Sequence, residues 1–123
     1  MKLRLIESNL DIIFEKDKEF LKNVFSSMRI GMPNSLPLDL FRDDVWKQIV
    51  SDVREFIAIY DNISNNISIE DFLIEEGYDN PEETLYEWIN DAHSDVYYKA
   101  HNSRYEKYAN TLSLLITGEP FWW

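Results

Sequence analysis

Apolar residues recur every three or four positions between Phe41 and Tyr60, and this spacing predicts an amphipathic helix. Asp39 or Asp43 is expected to cap this helix, because a carboxylate can accept hydrogen bonds from the free N–H groups of a first turn. The predicted buried face is wide, so we expect the helix to lie at the centre of the core. That face comprises Phe41, Val45, Trp46, Ile49, Val50, Val53, Phe56, Ile57 and Tyr60.

In the N-terminal third, the apolar spacing predicts one further helix, which begins at about Asp17 and reaches Met28. Gly31 is expected to end this helix. Its apolar stripe consists of Phe20, Leu21, Val24, Phe25 and Met28. Residues 1–14 are ambiguous. Apolar and charged residues alternate at their start, as they do on a short strand, but the stretch fits a helix equally well.

Two more helices are marked by their capping residues. Ser68 begins a short helix that Gly77 would end in the left-handed conformation. Asn80 and Pro81 begin the next one, because they combine a capping side chain with a proline at the first helical position. The predicted buried face of this helix comprises Leu85, Trp88, Ile89, Ala92, Val96 and Ala100.

The apolar pattern shifts by about two positions beyond His101, which predicts a break in the helix. A final helix of about 104–117 would follow, closed by Gly118. Ser103 and Glu106 have the spacing of a capping box at its start. One uninterrupted helix is the alternative.

The composition fits a helical globular protein. Three Gly and four Pro leave little turn chemistry for a β fold, and a hydrophobic content of 45% is too high for a disordered acidic tail. The absence of cysteine excludes disulfides and Cys-ligated zinc. We therefore predict an all-α fold of four to five helices in a compact bundle-like array, with a possible short N-terminal strand. Residues 1–123 are expected to form a single acidic domain.

The net charge of −11 comes from one segment. Residues 55–96 contain twelve acids and no base, whereas the rest of the chain has eleven acids and twelve bases. Concentrated charge of one sign produces self-repulsion, so this distribution favours a functional acidic surface over a merely solvated one. The acids are Glu55, Asp61, Glu70, Asp71, Glu75, Glu76, Asp79, Glu82, Glu83, Glu87, Asp91 and Asp95.

Four of these acids, Glu83, Glu87, Asp91 and Asp95, are spaced four residues apart. On a helix their carboxylates would repeat about every 6 Å on the side opposite the apolar face. A solvated face typically interleaves lysine, and this one has none before Lys99. The pattern therefore predicts a surface that binds a basic partner.

Aromatic residues interleaved with the row are candidate anchors for that partner, because tyrosine provides a large, rigid contact area with a polar end. We assign Tyr86 and Tyr98 to the predicted partner-binding surface, together with the neighbouring acids Glu75, Glu76 and Asp79. The C-terminal Phe121, Trp122 and Trp123 are expected either to fold back onto the helices or to be captured by a partner.

Catalysis is not expected. The only histidines, His93 and His101, would lie about 12 Å apart on one helix, too far to ligate the same metal ion. No nucleophile elbow or phosphate-binding glycine loop is present, so we predict no metal and no cofactor. An enzyme with a carboxylate acid/base pair is kept as a third alternative.

Two binding functions fit the charge pattern. The first is an immunity protein or inhibitor that neutralises a nuclease-type toxin by masking its basic groove, since electrostatic attraction speeds capture. The second is a phage-type nucleic-acid mimic that occupies the DNA channel of a restriction or CRISPR effector. Direct nucleic-acid binding is disfavoured, because phosphates would be repelled. No apolar run is long enough to span a membrane, and we expect a cytoplasmic protein. The sequence indicates no particular oligomeric state.

Overall fold

The computed structural model describes residues 2–26, 41–99 and 103–118, and the side chains of 11–26, 41–98 and 103–118. These residues form five α-helices and no strand, so the predicted all-α class of four to five helices is confirmed. The helices are α1 (Lys2–Ser26), α2 (Asp43–Ala58), α3 (Ile69–Glu75), α4 (Pro81–Lys99) and α5 (Ala109–Ile116), with a 3-10 turn over Glu106–Tyr108.

Helix α1 begins at Lys2, well before the expected start at Asp17. The short N-terminal strand considered for residues 1–14 is therefore not formed. Residues 2–26 contain neither glycine nor proline, and each residue added to an existing helix gains a hydrogen bond, so the helix extends through the ambiguous stretch. Met28 and Gly31, which were expected to end it, lie outside the described residues.

Helix α2 buries most of the predicted apolar face, although Val45 is only half-buried and Tyr60 is exposed, and it is not capped as expected. Asp43 is its first helical residue, and Arg42, at the capping position, makes no side-chain hydrogen bond to the first turn. Asp39 lies outside the described residues. The Asp44 carboxylate instead accepts the N–H of Val45 at 3.0 Å and pairs with Arg42. Buried α2 residues are Trp46, Ile49, Val50, Val53, Phe56 and Ile57.

Helix α3 has both predicted end signals. The Ser68 hydroxyl accepts the N–H of Asp71 at 3.2 Å, as a capping side chain does. At the other end Gly77 has a φ of +95°. The N–H groups of Gly77 and Tyr78 donate to carbonyls of the last turn at 3.0 and 3.1 Å. A left-handed glycine with these two bonds ends the helix and turns the chain toward α4.

Helix α4 starts as predicted. The Asn80 side-chain oxygen accepts the N–H of Glu83 at 3.2 Å, and the Asn80 amide donates to the Glu83 carboxylate at 3.2 Å. Its buried residues are Leu85, Ile89, Ala92 and Val96. Trp88, predicted to lie on the same face, is only half-buried, and Ala100 lies outside the described residues.

The predicted break between the last two helices is confirmed, because residues 103–105 are not helical. Helix α5 begins only at Ala109, after a 3-10 turn, and not at about residue 104 as predicted. The predicted capping box is not formed, because the Ser103 hydroxyl accepts the N–H of Tyr105 at 3.1 Å, while the N–H of Glu106 bonds to the Ser103 carbonyl. Gly118, at a φ of +81°, follows α5.

The core lies between α4 and the helices around it. Helix α4 packs against α1, α3 and α5, while α2 packs against α1 and α5. The least exposed core side chains come from all five helices, so no helix could be removed without exposing apolar surface. Side chains with no exposed surface include Leu21, Phe25, Ile57, Ile69, Leu73, Leu85, Ile89, Val96 and Leu115.

A buried carboxylate joins three parts of the fold. Asp17, in α1, has no exposed surface and accepts the N–H of Ile69 at 2.8 Å and the Nε of Arg54 at 2.9 Å. Arg54, in α2, also donates to the carbonyls of Ser64 at 3.2 Å and Ile67 at 2.5 Å. This network holds the loop before α3 against α1 and α2. Sequence reasoning treated Asp17 as the start of a helix and missed its partners.

Candidate partner-binding face

The acidic segment 55–96 forms a surface in the folded protein. Eleven of its twelve acids are exposed, and the remaining one, Asp95, is half-buried. Among the side chains that the structure describes, Lys107 is the one base within 4 Å of these carboxylates, with its Nζ 3.7 Å from Glu55. Such an exposed pair adds little stability. The segment therefore presents its negative charge to solvent.

Three of the four carboxylates predicted to form a row do so. Glu83, Glu87 and Asp91 are exposed, on the side of α4 opposite its buried residues, and we call them the acidic row. With a helical rise of 1.5 Å per residue, neighbouring members are about 6 Å apart along the helix axis. Like charges at this spacing cost a helix a few tenths of a kcal/mol per pair.

Asp95 does not belong to the row. Its carboxylate accepts a hydrogen bond from the Ser103 hydroxyl, and Ser103 is buried. The bond ties the last turns of α4 to the chain segment that leads into α5. Asp95 therefore holds the connection between two helices, which its four-residue spacing from Asp91 did not indicate.

The row is continued by exposed tyrosines instead. Tyr98 is 82% exposed and Tyr97 is 64% exposed, and their rings meet edge to face with centroids 5.1 Å apart. Tyr98 is thus exposed, as a partner-binding residue has to be, and its role in binding stays a prediction. Apolar ring surface that is this exposed favours contact with another molecule.

Tyr86 occupies a different position, at the border between α4 and α1. It is half-buried, with its ring 6.0 Å from that of Phe25. Together with Glu83 and Glu87 it lines a cleft of about 440 Å³ between the two helices. We call this the α1–α4 cleft. Its other lining residues are Asn23, Val24, Asn80 and Glu82.

The α1–α4 cleft therefore brings together three predicted site residues. Asn23, which belongs to α1 and is exposed, adds an amide that sequence reasoning did not assign to the site. A cleft with carboxylates and amides on its walls suits a hydrogen-bonding, positively charged side chain. No local pattern could have identified Asn23, because it meets α4 only through packing.

The acids Glu75, Glu76 and Asp79 lie at the end of α3 and in the turn before α4, and all three are exposed. They do not line the α1–α4 cleft. The Asp61 carboxylate beside Glu76 raises the pKa of Glu76, because two like charges lie close together. Within the described part of the chain, no three acidic or histidine side chains converge to hold a metal ion.

Three aromatic side chains from separate elements form a second exposed surface. Tyr60 follows α2, Tyr78 follows α3 and Trp88 lies in α4, and we call these three the aromatic patch. The Trp88 ring stacks with Tyr60 at a centroid distance of 5.7 Å and meets Tyr78 edge to face at 5.3 Å. Tyr60 and Tyr78 are 50% and 39% exposed. Sequence reasoning assigned Tyr60 and Trp88 to the core.

His93 is half-buried on α4, with its ring 6.3 Å from that of Tyr97. Burial lowers the pKa of His93, because removal from water disfavours the charged imidazolium. The other histidine, His101, and the C-terminal Phe121, Trp122 and Trp123 lie outside the described residues.

Comparison with known proteins identified no relative, since no protein-family model, curated protein or solved structure matches the chain. The proposed function therefore rests on the geometry of the site alone. Within the described ranges, no helix combines the length and the apolar character needed to cross a membrane.

Proposed function

We propose that this chain is a non-catalytic cytoplasmic inhibitor that masks a basic protein through the acidic surface of α3 and α4. A nuclease-type toxin with a cationic substrate groove suits that surface, and its neutralisation would make the chain an immunity protein. The supporting observation is that eleven acids of one segment are exposed. Among the described side chains, Lys107 is the one base that pairs with any of them, at Glu55.

Electrostatics supports an inhibitory role. An inhibitor of a toxic enzyme has to capture its target quickly, and complementary charge raises association rates well above those of neutral surfaces. The acidic row repels itself along α4, at a small cost to the helix. A positively charged partner would relieve that repulsion when it binds.

The shape of the surface favours an inhibitor over a nucleic-acid mimic. The row contains three carboxylates and ends where Asp95 bonds to Ser103, so it imitates only a short stretch of phosphates. Beside it lie the α1–α4 cleft and the exposed Tyr98. A cleft and an aromatic anchor are typical of a shaped protein–protein interface.

Charge reversal in the acidic row tests the proposal. The protein would be used to capture its partner from cells of the native host, and the same capture would be repeated with Glu87→Lys/Asp91→Lys. We expect the wild type to retain a basic protein that the variant loses, because like charges at an interface cost several kcal/mol. If the partner is a nuclease, added wild-type protein should block its activity and the variant should not.

Asp11→Lys/Glu15→Lys is the matched control, because these two acids are also four residues apart and exposed, on α1. It changes the net charge by the same amount, so retained binding would show that position matters and not total charge alone. Equal binding by the wild type and the α4 variant would place the interface elsewhere. Capture of a DNA-binding defence effector would support the mimic instead.

A further inference from the structure

We infer that the aromatic patch is the binding site for an arginine side chain of the partner. The inference rests on the proposed function, since it requires a basic partner, but it assigns the anchoring contact to side chains that are not part of the acidic row. The patch consists of Tyr60, Tyr78 and Trp88, which meet at the ends of α2 and α3 and the middle of α4.

The geometry of the rings suits a flat cation. Trp88 and Tyr60 lie with an angle of 30° between their planes, while Tyr78 stands at 90° to Trp88. The Trp88 indole therefore lies between two exposed rings, Tyr60 nearly parallel to it and Tyr78 perpendicular to it. A cation is attracted to the negative face of an aromatic ring, most strongly to that of tryptophan.

At the edge of the patch, an arginine of the protein itself already makes cation–π contacts with aromatic rings. The guanidinium carbon of Arg104 lies 5.4 Å from the ring centre of Tyr60 and 4.8 Å from that of Tyr105. Arg104 also donates to the Tyr105 hydroxyl at 2.5 Å. The planar guanidinium stacks on rings and forms hydrogen bonds at the same time, whereas an ammonium is a compact point charge. A second arginine, from the partner, therefore fits better than a lysine.

Charge complementarity favours the same occupant. Asp61 directly follows Tyr60, Glu76 lies two residues before Tyr78, and both carboxylates are exposed. They lie close enough to repel each other, and among the described side chains neither is within 4 Å of a base. A guanidinium on the patch would be within reach of two carboxylates that gain from its charge.

A peptide titration tests the inference directly. Hexa-arginine and hexalysine peptides of equal charge would be added to the ¹⁵N-labelled full chain at low salt, while the indole N–H signal of Trp88 is followed by NMR. We expect hexa-arginine to shift this signal and to bind more tightly than hexalysine. Trp88→Leu and Tyr78→Leu should each weaken hexa-arginine binding about threefold to thirtyfold, the range typical of a cation–π contact.

Ile12→Ala is the control, because it shortens an exposed apolar side chain of α1 that lies outside both the patch and the acidic row. Its affinity for hexa-arginine should stay within about twofold of the wild type. Asp61→Asn/Glu76→Gln alters no buried group and should also weaken binding, so the test stands even if Trp88→Leu fails to fold.

Three results would overturn the inference. They are equal affinity for the two peptides, unchanged affinity in Tyr78→Leu and Asp61→Asn/Glu76→Gln, and no hexa-arginine binding at all. None of them would refute the proposed function, which the capture experiment with Glu87→Lys/Asp91→Lys judges separately. If that variant loses hexa-arginine while the patch variants keep it, the cation is held by the acidic row.

Discussion

At the scale of single residues, Asp17 is the one charged side chain among those the structure describes that has no exposed surface. Burial raises the pKa of Asp17, and the hydrogen bond from Ile69 and the charge of Arg54 oppose that effect. The carboxylate is costly to bury, yet its oxygens accept from two donors on different elements. Its removal would leave Arg54, itself largely buried, without an opposite charge.

We expect Asp17→Asn to lower the free energy of unfolding by about 3 kcal/mol, since a buried charge without its partner is strongly destabilising. Urea denaturation followed by circular dichroism measures the change. Glu19→Gln is the control, because Glu19 pairs with Lys22 at the surface and such pairs contribute about 0–1 kcal/mol. A loss below about 1 kcal/mol in Asp17→Asn would mean that the carbonyls of Ser64 and Ile67 suffice to hold Arg54.

His93 should make stability depend on pH. Its folded-state pKa is lowered from 6.5, so the unfolded chain binds the proton more tightly. The contribution of neutral His93 is therefore fully present above the unfolded pKa and is lost as pH falls through the lower folded pKa. Between about pH 7.5 and pH 5 the wild type should lose more unfolding free energy than His93→Gln. If both proteins lose the same unfolding free energy over this pH range, the pKa of His93 is not lowered. An NMR titration of the His93 ring measures that pKa independently.

At the scale of secondary-structure elements, capping residues determine where α3 and α4 begin. Both starts have a side chain that accepts an N–H group of the first turn, Ser68 for α3 and Asn80 for α4. Gly77 supplies the left-handed backbone between the two helices. The short segment from α3 to α4 is thus specified by local chemistry, and it sets the direction from which α4 enters the core.

Replacing the α4 cap should weaken the helix that carries the acidic row. We expect Asn80→Ala to lower the free energy of unfolding by about 1 kcal/mol, because the N–H of Glu83 loses its acceptor. Asn80→Asp should stay close to the wild type, since a carboxylate can accept the same bond and favours the positive end of the helix dipole. Thermal denaturation compares the three proteins. If alanine and aspartate have equal midpoints, the cap does not limit stability.

At the scale of the whole molecule, charge is distributed unevenly. The net charge of −11 arises in residues 55–96, and these supply α3, most of α4 and the surfaces around them. The field of such a surface extends about 10 Å into solution at 0.1 M ionic strength. Under the proposed function, it would attract a basic protein before any contact forms, and contact would then depend on the α1–α4 cleft and the aromatic patch.

Association with a basic partner should therefore slow as salt is added. We expect the rate constant to fall about tenfold or more between low and physiological salt, because screening removes long-range attraction. Stopped-flow measurements with the captured partner give the rates. Glu87→Lys/Asp91→Lys should show a flatter salt dependence than the wild type. A rate for the wild type that does not change with salt would count against electrostatic steering.

The sequence by itself determined the all-α class, the starts of α3 and α4, and the acidic segment. These depend on residues three or four positions apart, such as Asn80 with Glu83, and therefore on local geometry. The aromatic patch, the α1–α4 cleft and the partners of Asp17 were decided by the tertiary structure, because their members lie ten to more than fifty residues apart. Asp95 shows the difference most directly: its spacing placed it in the row, but packing of α5 brought Ser103 within hydrogen-bonding distance. Periodicity indicates which side of a helix a residue occupies, and only the packed neighbours determine what that side touches.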